Sequence, residues 1–402
     1  MPNAVITIKH GKEKAIQNRH PWVFSGAIQS VTGNPAPADV VCVQTHDGQL
    51  LGYGTYNATS QIRVRMLTWQ DEAITPDWWR GKLQQAITAR AGDQAQWRNG
   101  TPNAVRLINA ENDYLPGLVV DRYGDWLVLQ ALTLGIDARK QEIAATLAEL
   151  LQPAGIYERS DVDIRQKEGL REVKGLLWGQ EPPDTIEIIE NGLSFPVDVR
   201  HGHKTGFYLD QRENRATVRR ALESIAARRV LNMFSYTGGF GVYALAGGAN
   251  DVINVDSSGP ALALAEATVK LNGLDPDAAT FIEGDAFTVL RDYAAHGEQF
   301  DAIILDPPKF AQSEKQVERA TRGYKDLNLH AFKLLKPGGL LFTFSCSGAI
   351  TTDLFQKVVF GALADSGRQA QIVRHLGGSE DHPVALTFPE GAYLKGLMCR
   401  VV

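Results

Sequence analysis

The stretch VLNMFSYTGGFGVYALA, residues 230–246, followed closely by DVINVD at 251–256, decides how this chain is read. A short apolar run ends in a glycine-bearing turn, an apolar helical run follows, and a second apolar run closes on an acid. Strand, turn, helix and strand in that order are the unit of a parallel α/β layer. Toward the C-terminus the unit repeats: a helix through LALAEATVKLN, then TFIEGD at 280–285, a helix through AFTVLRDYAA, DAIILD at 301–306, and a long helix around 316–335. The alternation predicts a doubly wound, mostly parallel sheet. Beyond the Pro337-Gly338-Gly339 turn, LLFTFSCS, a helix near 351–365, and the runs AQIVRHL and YLKGLMCRVV supply the remaining strands.

Toward the N-terminus the pattern changes twice. TIEIIENGLSFPVDV at 185–199 reads as a hairpin turned at Asn191-Gly192, and Pro182-Pro183 marks the boundary before it. Upstream, helical spacing over 74–99 uses Trp78, Trp79, Leu83, Ile87 and Trp97. Strands AVRLINA and WLVLQAL flank LPGLVVDRYGD, and a helix at about 137–151 precedes a strand-like GIYERS. This is an α+β pattern. The first 70 residues instead show short alternating runs, AVITIKH, DVVCVQT and QIRVRML, which read as a compact all-β barrel. Three domains are expected: 1–70 all-β, 71–185 α+β, and 186–402 α/β.

Composition sets outer limits. A chain of 402 residues exceeds one ordinary core, and 44% hydrophobic with 22% charged residues is globular usage. The net charge of −5 hides an asymmetry. Residues 1–70 hold six basic side chains, Lys9, Lys12, Lys14, Arg19, Arg63 and Arg65, against Glu13, Asp39 and Asp47, a net +3, so the remainder carries −8. Three cysteines, Cys42, Cys346 and Cys399, have neither metal-ligand spacing nor disulfide density, so no metal site and a reducing compartment are expected. The charged start MPNAVITIKHGKEK and the lack of any run near ~20 apolar residues predict a cytoplasmic chain without a membrane span.

In an open α/β sheet, ligands meet the carboxyl ends of the strands. The first strand ends in Ser235-Tyr236-Thr237-Gly238-Gly239, where glycines admit a ligand to backbone amides or serve tight packing alone. The second ends in Asp256, placed to accept hydrogen bonds from a ribose or to cap the next helix, with Ser257 or Ser258 as the alternative cap. The third ends in Gly284-Asp285-Ala286-Phe287, suited to an adenine edge and face, with Asp285 equally a helix cap. The fourth ends in Asp306-Pro307-Pro308-Lys309, where two prolines stiffen the segment that carries an acid and an ammonium. The fifth ends in Ser345-Cys346-Ser347. A cysteine in an apolar strand is ordinarily a small buried hydrophobe. Cys346 instead emerges at the active edge, where a neighbouring Lys309 would lower its pKa from ~8.5 and make it a nucleophile. Cys42 and Cys399 lie within predicted strands and read as core.

Taken together, HPWVFSGAI at 20–28, LPGLVVDRYGD at 115–125, KTGFYLDQRENR at 204–215, LNMFSYTGGFG at 231–241, LDPPKFA at 305–311, RGYKDLN at 322–328 and TFSCSG at 343–348 resemble the class I methyltransferases. Specifically, the chain resembles the family of the 23S ribosomal RNA large subunit methyltransferase I, over nearly its whole length. The resemblance implies an N-terminal PUA domain, a central α+β domain and a C-terminal Rossmann-like methyltransferase domain with a mostly parallel, seven-stranded sheet. It implies S-adenosylmethionine as cofactor, held by Ser235, Tyr236, Thr237, Gly238, Gly239, Asp256, Ser257, Asp285, Ala286 and Asp306. It also implies methylation of cytosine C5 in 23S ribosomal RNA, with Cys346 as nucleophile, Asp306 on the base and Lys309 positioning base or phosphate.

Phe207, Asp210, Gln211 and Arg215 are implied pocket residues, and Lys9, Lys12, Lys14 and Arg19 implied phosphate contacts. Many RNA cytosine-5 enzymes carry a second cysteine in the fourth-strand motif. Here Pro308 stands there, which leaves the acceptor of the C5 proton open; a homodimer is likewise left open. Three other readings compete: a methyltransferase acting on an amino or ring nitrogen, which would not need Cys346; a weakly active RNA-binding assembly factor; and a nicotinamide dehydrogenase, for which the G-x-G-x-x-G spacing is missing.

Overall fold

The computed structural model describes residues 2–90 and 102–402 and divides into two compact units that interleave along the chain. The first comprises Met1–Glu190, Val197–Leu209 and Asp381–Gly391; the second comprises Asn191–Pro196, Asp210–Glu380 and Ala392–Val402.

In the first unit the alternating runs at the start become a six-stranded sheet: Val5–Ile8, Trp22–Phe24, Ile28–Thr32, Val40–Gln44, Leu50–Tyr56 and Ile62–Thr68. Period-two burial puts Ile6, Ile8, Val41, Val43, Val64 and Met66 in one core. A five-stranded sheet follows, built from Ala104–Asn109, Leu118–Tyr123, Trp126–Ala131, Gly155–Ser160 and Val173–Gly179. Helix Pro76–Arg90 lays Trp79, Leu83, Ala86 and Ile87 into its core at helical spacing. Trp97, expected on the same helical stretch, lies outside the described residues. The strand Val173–Gly179 is an element that hydrophobic periodicity does not predict. None of its seven residues is buried, so no alternation betrays it; it stands at the sheet edge and pairs with Gly155–Ser160.

The second unit holds seven strands, in chain order Arg229–Met233, Asp251–Asp256, Ala279–Glu283, Phe300–Leu305, Leu335–Ser345, Ala370–Gly377 and Lys395–Val401. Across the sheet they stand third, second, first, fourth, fifth, seventh, sixth. The first five are parallel, and the seventh runs antiparallel between the fifth and sixth. Helix Val317–Leu334 buries Ala320, Tyr324, Leu327, Ala331 and Phe332 against the core, spaced as one helical stripe. Each large side chain so placed contributes roughly 2 kcal/mol. Strand order reverses between the first and fourth strands, both of which pair with each other. That switch point is where an open sheet leaves room for a ligand.

Candidate active site

After Met233 the backbone takes left-handed values at Phe234 (φ 59), Tyr236 (φ 49) and Gly238 (φ 77). Two of these three are not glycine, so neighbours must hold the turn. The Ser235 amide donates to the Val255 carbonyl at 2.9 Å, and the Tyr236 amide donates to Asp256 Oδ2 at 2.8 Å. A Cβ on Gly238 would stand 2.7 Å from Cβ of Ala265, and one on Gly241 would stand 2.1 Å from Asn254 Oδ1. These glycines therefore let helix Gly239–Ala246 approach its neighbours. No side chain caps the start of that helix, and Oγ of Ser235 is buried without a protein partner. A buried hydroxyl in this state calls for a polar ligand.

Asp256 does not cap the next helix; Ser258 does, accepting from the Ala261 amide at 3.3 Å. The Asp256 carboxylate takes the Tyr236 amide on one oxygen and the Ser258 amide, 2.9 Å away, on the other. Each oxygen keeps a further lone pair for a ligand hydroxyl. Ser257 is exposed beside it. Asp285 is a cap, accepting from the Thr288 amide at 2.9 Å and hydroxyl at 3.0 Å, with Ala286 buried behind it.

The fourth and fifth strand ends meet: Sγ of Cys346 lies 4.0 Å from the Pro307 carbonyl. Cys346 is partly exposed while both flanking serines are fully buried, and the reason is Tyr324. Ser345 Oγ donates to the Tyr324 hydroxyl at 2.9 Å, and Ser347 Oγ lies 3.1 Å from the same hydroxyl while accepting the Ala311 amide at 3.2 Å. The two serines tie the strand end to helix Val317–Leu334 and turn the cysteine between them outward. Burial raises the Tyr324 pKa, with the two serine hydrogen bonds acting the other way. Gln211 donates from Nε2 to Asp306 Oδ1 at 2.9 Å, and its own oxygen accepts from Asn214 Nδ2 at 2.5 Å. Gln211, expected to line the substrate pocket, is thus bonded to the carboxylate at the fourth strand end.

Lys309 is exposed at this edge. Arg215 is only 2% exposed on helix Arg212–Ser224, and Asp210 accepts from the Tyr393 hydroxyl at 2.6 Å. Phe207 is buried in the first unit. Lys9, Lys12, Lys14 and Arg19 are all exposed around the short helix Lys14–Gln17, with Lys9 donating to the Gly26 carbonyl at 3.0 Å. The remaining cysteines differ from Cys346: burial pushes the Cys399 thiol up to about 12, and burial followed by Asp71 raises Cys42.

Two features escaped the sequence. Lys395 is 5% exposed and donates to the carbonyls of Ser347 at 2.8 Å and Ile350 at 2.6 Å. Burial lowers its pKa to about 8, with Cys346 opposing the shift and Lys309 adding to it. A lysine opening the strand Lys395–Val401, ahead of the apolar Leu397, Met398 and Cys399, was the available signal. In the first unit, His10, Glu13 and His46 bring potential ligand atoms within 4.8 Å of one another. Spacing could not reveal this grouping, because His46 comes from a distant turn. Among the described residues, no helix is long and apolar enough to cross a membrane.

A model of the S-adenosylmethionine-dependent methyltransferase family matches residues 142–398, and a PUA-like domain model matches residues 6–69. The chain is 48% identical to the ribosomal RNA large subunit methyltransferase I of Tolumonas auensis, over 100% of both chains. It is likewise 48% identical to the protein of that name from Aeromonas salmonicida, over 98% of each. Among solved structures, one methyltransferase-type protein complexed with SAH covers 99% of this chain and 100% of its own at TM-score 0.85 and 24% identity. That likeness establishes the shared fold.

Proposed function

The chain belongs to the ribosomal RNA large subunit methyltransferase I family, and on that premise we propose that it methylates C5 of a cytosine in 23S ribosomal RNA through a transient bond between Cys346 and the base. The cofactor is S-adenosylmethionine. Its fit rests on the buried, unpartnered Ser235 hydroxyl and the uncapped helix start beside Asp256. In this reading Ser235, Tyr236, Thr237, Gly238 and Gly239 hold its polar amino-acid end, Asp256 and Ser257 the ribose, and Asp285 with Ala286 the adenine. Once bound, it supplies an electrophilic methyl group.

The observation that carries the C5 reading is the outward Cys346 held between two anchored serines beside Asp306-Pro307. Cytosine C5 is a poor nucleophile while the ring is aromatic. Addition of the Cys346 thiolate at C6 forms an S–C6 bond and moves an electron pair toward C5, the atom to be methylated. Asp306, oriented by Gln211, hydrogen-bonds the base near N3 and N4 and steadies the adduct. After C5 has gained its methyl group, loss of the C5 proton returns the pair to the ring, and the S–C6 bond breaks with thiolate leaving. Lys309 positions the base or a phosphate from the exposed rim. An amino-nitrogen acceptor would give no use for a cysteine presented in this way.

The domain assignment follows the same reading: 1–70 grips RNA through Lys9, Lys12, Lys14 and Arg19, 71–185 is the central domain, and 186–402 carries the chemistry. The target base must leave its stack to reach Cys346, which is cheapest in a loop or bulge. The test is transfer of labelled methyl to ribosomal RNA lacking modifications, by wild type and by Cys346→Ala, with the product nucleoside identified. The reading expects 5-methylcytidine from the wild type and at least a ~1000-fold loss in the variant, the scale for removing a covalent nucleophile. An active variant, or a different methylated base, would return Cys346 to a structural role.

A further inference from the structure

A buried lysine at the fifth strand end has no task in the reaction described so far. Lys395 opens the strand Lys395–Val401 directly opposite Ser345 in antiparallel register. An ammonium has three donors. Two of them go to the carbonyls of Ser347 and Ile350, which are neutral. Among the described residues, no carboxylate is ion-paired to it, although a buried charge normally acquires a counter-charge. The titratable groups that act on it are Cys346 and Lys309, and of these only the thiol can become negative. The carbonyl of Ser347 belongs to the residue directly after Cys346, so the ammonium is fixed to the turn that the cysteine begins.

We infer that Lys395 is a positioning residue for Cys346: its ammonium, clamped by the Ser347 and Ile350 carbonyls, is the counter-charge of the thiolate and fixes the turn that presents it. The assignment rests on the reading of Cys346 as nucleophile. A fixed cation favours the ionised thiol. Tyr324, bonded to the serines on either side, contributes no positive charge. The pair exists only between the two titrations. Below the thiol's pKa the sulfur is neutral; above about 8, where Lys395 loses its proton, the thiolate loses its partner. Reactivity per thiolate therefore changes at two pH values and not at one.

The experiment follows alkylation of Cys346 by iodoacetamide in the full chain, without RNA or cofactor, from about pH 5 to about pH 10, with the modified peptide quantified by mass spectrometry. The wild-type midpoint should fall at least about one unit below the ordinary ~8.5. Lys395→Met should raise that midpoint by about a unit or more, lowering modification near pH 7 about tenfold, and Lys395→Arg should recover most of the loss. A wild-type midpoint at ~8.5 overturns the inference without any variant. So does an unshifted midpoint in Lys395→Met that still binds S-adenosylmethionine. Methyl transfer by Cys346→Ala separates this result from the nucleophile reading: an active Cys346→Ala with a lysine-dependent midpoint ends the nucleophile role and retains the charge pair, whereas the opposite pattern removes the pair alone.

Discussion

Tyr324 shows how a single side chain can fix the end of a strand around a cysteine. Its hydroxyl holds Ser345 and Ser347, one on each side of Cys346. Tyr324→Phe removes one atom and leaves two buried serine hydroxyls short of a partner. The expected cost is about 1–3 kcal/mol of stability, read from the denaturant midpoint, together with a fall in kcat larger than any rise in KM, because the cysteine is no longer held outward. The charge on Lys395 makes a second prediction, with a definite sign. A lysine whose folded pKa, about 8, lies below its unfolded value of ~10.4 costs stability wherever it is protonated in both states. The cost is complete below about pH 8 and fades as pH rises toward ~10.4. Relative to Lys395→Met, the wild type should gain up to about 3 kcal/mol between pH ~7 and pH ~10.5. Urea denaturation of both proteins at the two pH values reads this difference directly, and equal shifts would mean that the ammonium is not held at a cost.

At the scale of elements, the turn before helix Gly239–Ala246 is the joint on which the proposed mode of cofactor binding depends. Gly238 combines φ 77 with a would-be Cβ only 2.7 Å from Ala265. Gly238→Ala should cost about 2 kcal/mol through strain and overpacking, and should weaken S-adenosylmethionine binding more than tenfold by displacing the helix start from Ser235. Calorimetric titration checks the second figure; unchanged affinity in a folded variant would place the cofactor elsewhere. The same elements show what a sequence can and cannot disclose. Strand and helix periods marked the α/β half, because periodicity and burial are local properties. The strand Val173–Gly179 was missed since no face of it is buried. The bond from Gln211 to Asp306 was not foreseen, because the two lie 95 residues apart in the chain. The capping alternatives at Asp256 and Asp285 could not be separated either, because one carboxylate chemistry serves both roles; the structure gives the cap to Asp285 and to Ser258.

For the whole molecule the informative quantity is the distribution of charge. A net −5 would oppose binding to a polyanion if spread evenly, yet the first 70 residues carry a net +3. Four of the basic residues, Lys9, Lys12, Lys14 and Arg19, are exposed within eleven residues of one another. Phosphate contacts by such side chains release counterions, so their contribution must appear in the salt dependence of RNA binding and not only in its strength. Replacing all four by glutamine should lower the magnitude of the slope of log K against log salt by up to about 3, taking ~0.7 per contact for single-stranded RNA. Affinity near physiological salt should fall at least about tenfold. S-adenosylmethionine binding and thermal stability should be unchanged, because these side chains belong to the first unit and the proposed cofactor residues to the second. Fluorescence anisotropy with a labelled ribosomal RNA fragment over a salt series reads both quantities. An unchanged slope would assign these cations to solvent alone, and RNA would then have to be gripped by residues whose charge is masked in the sequence by nearby acids.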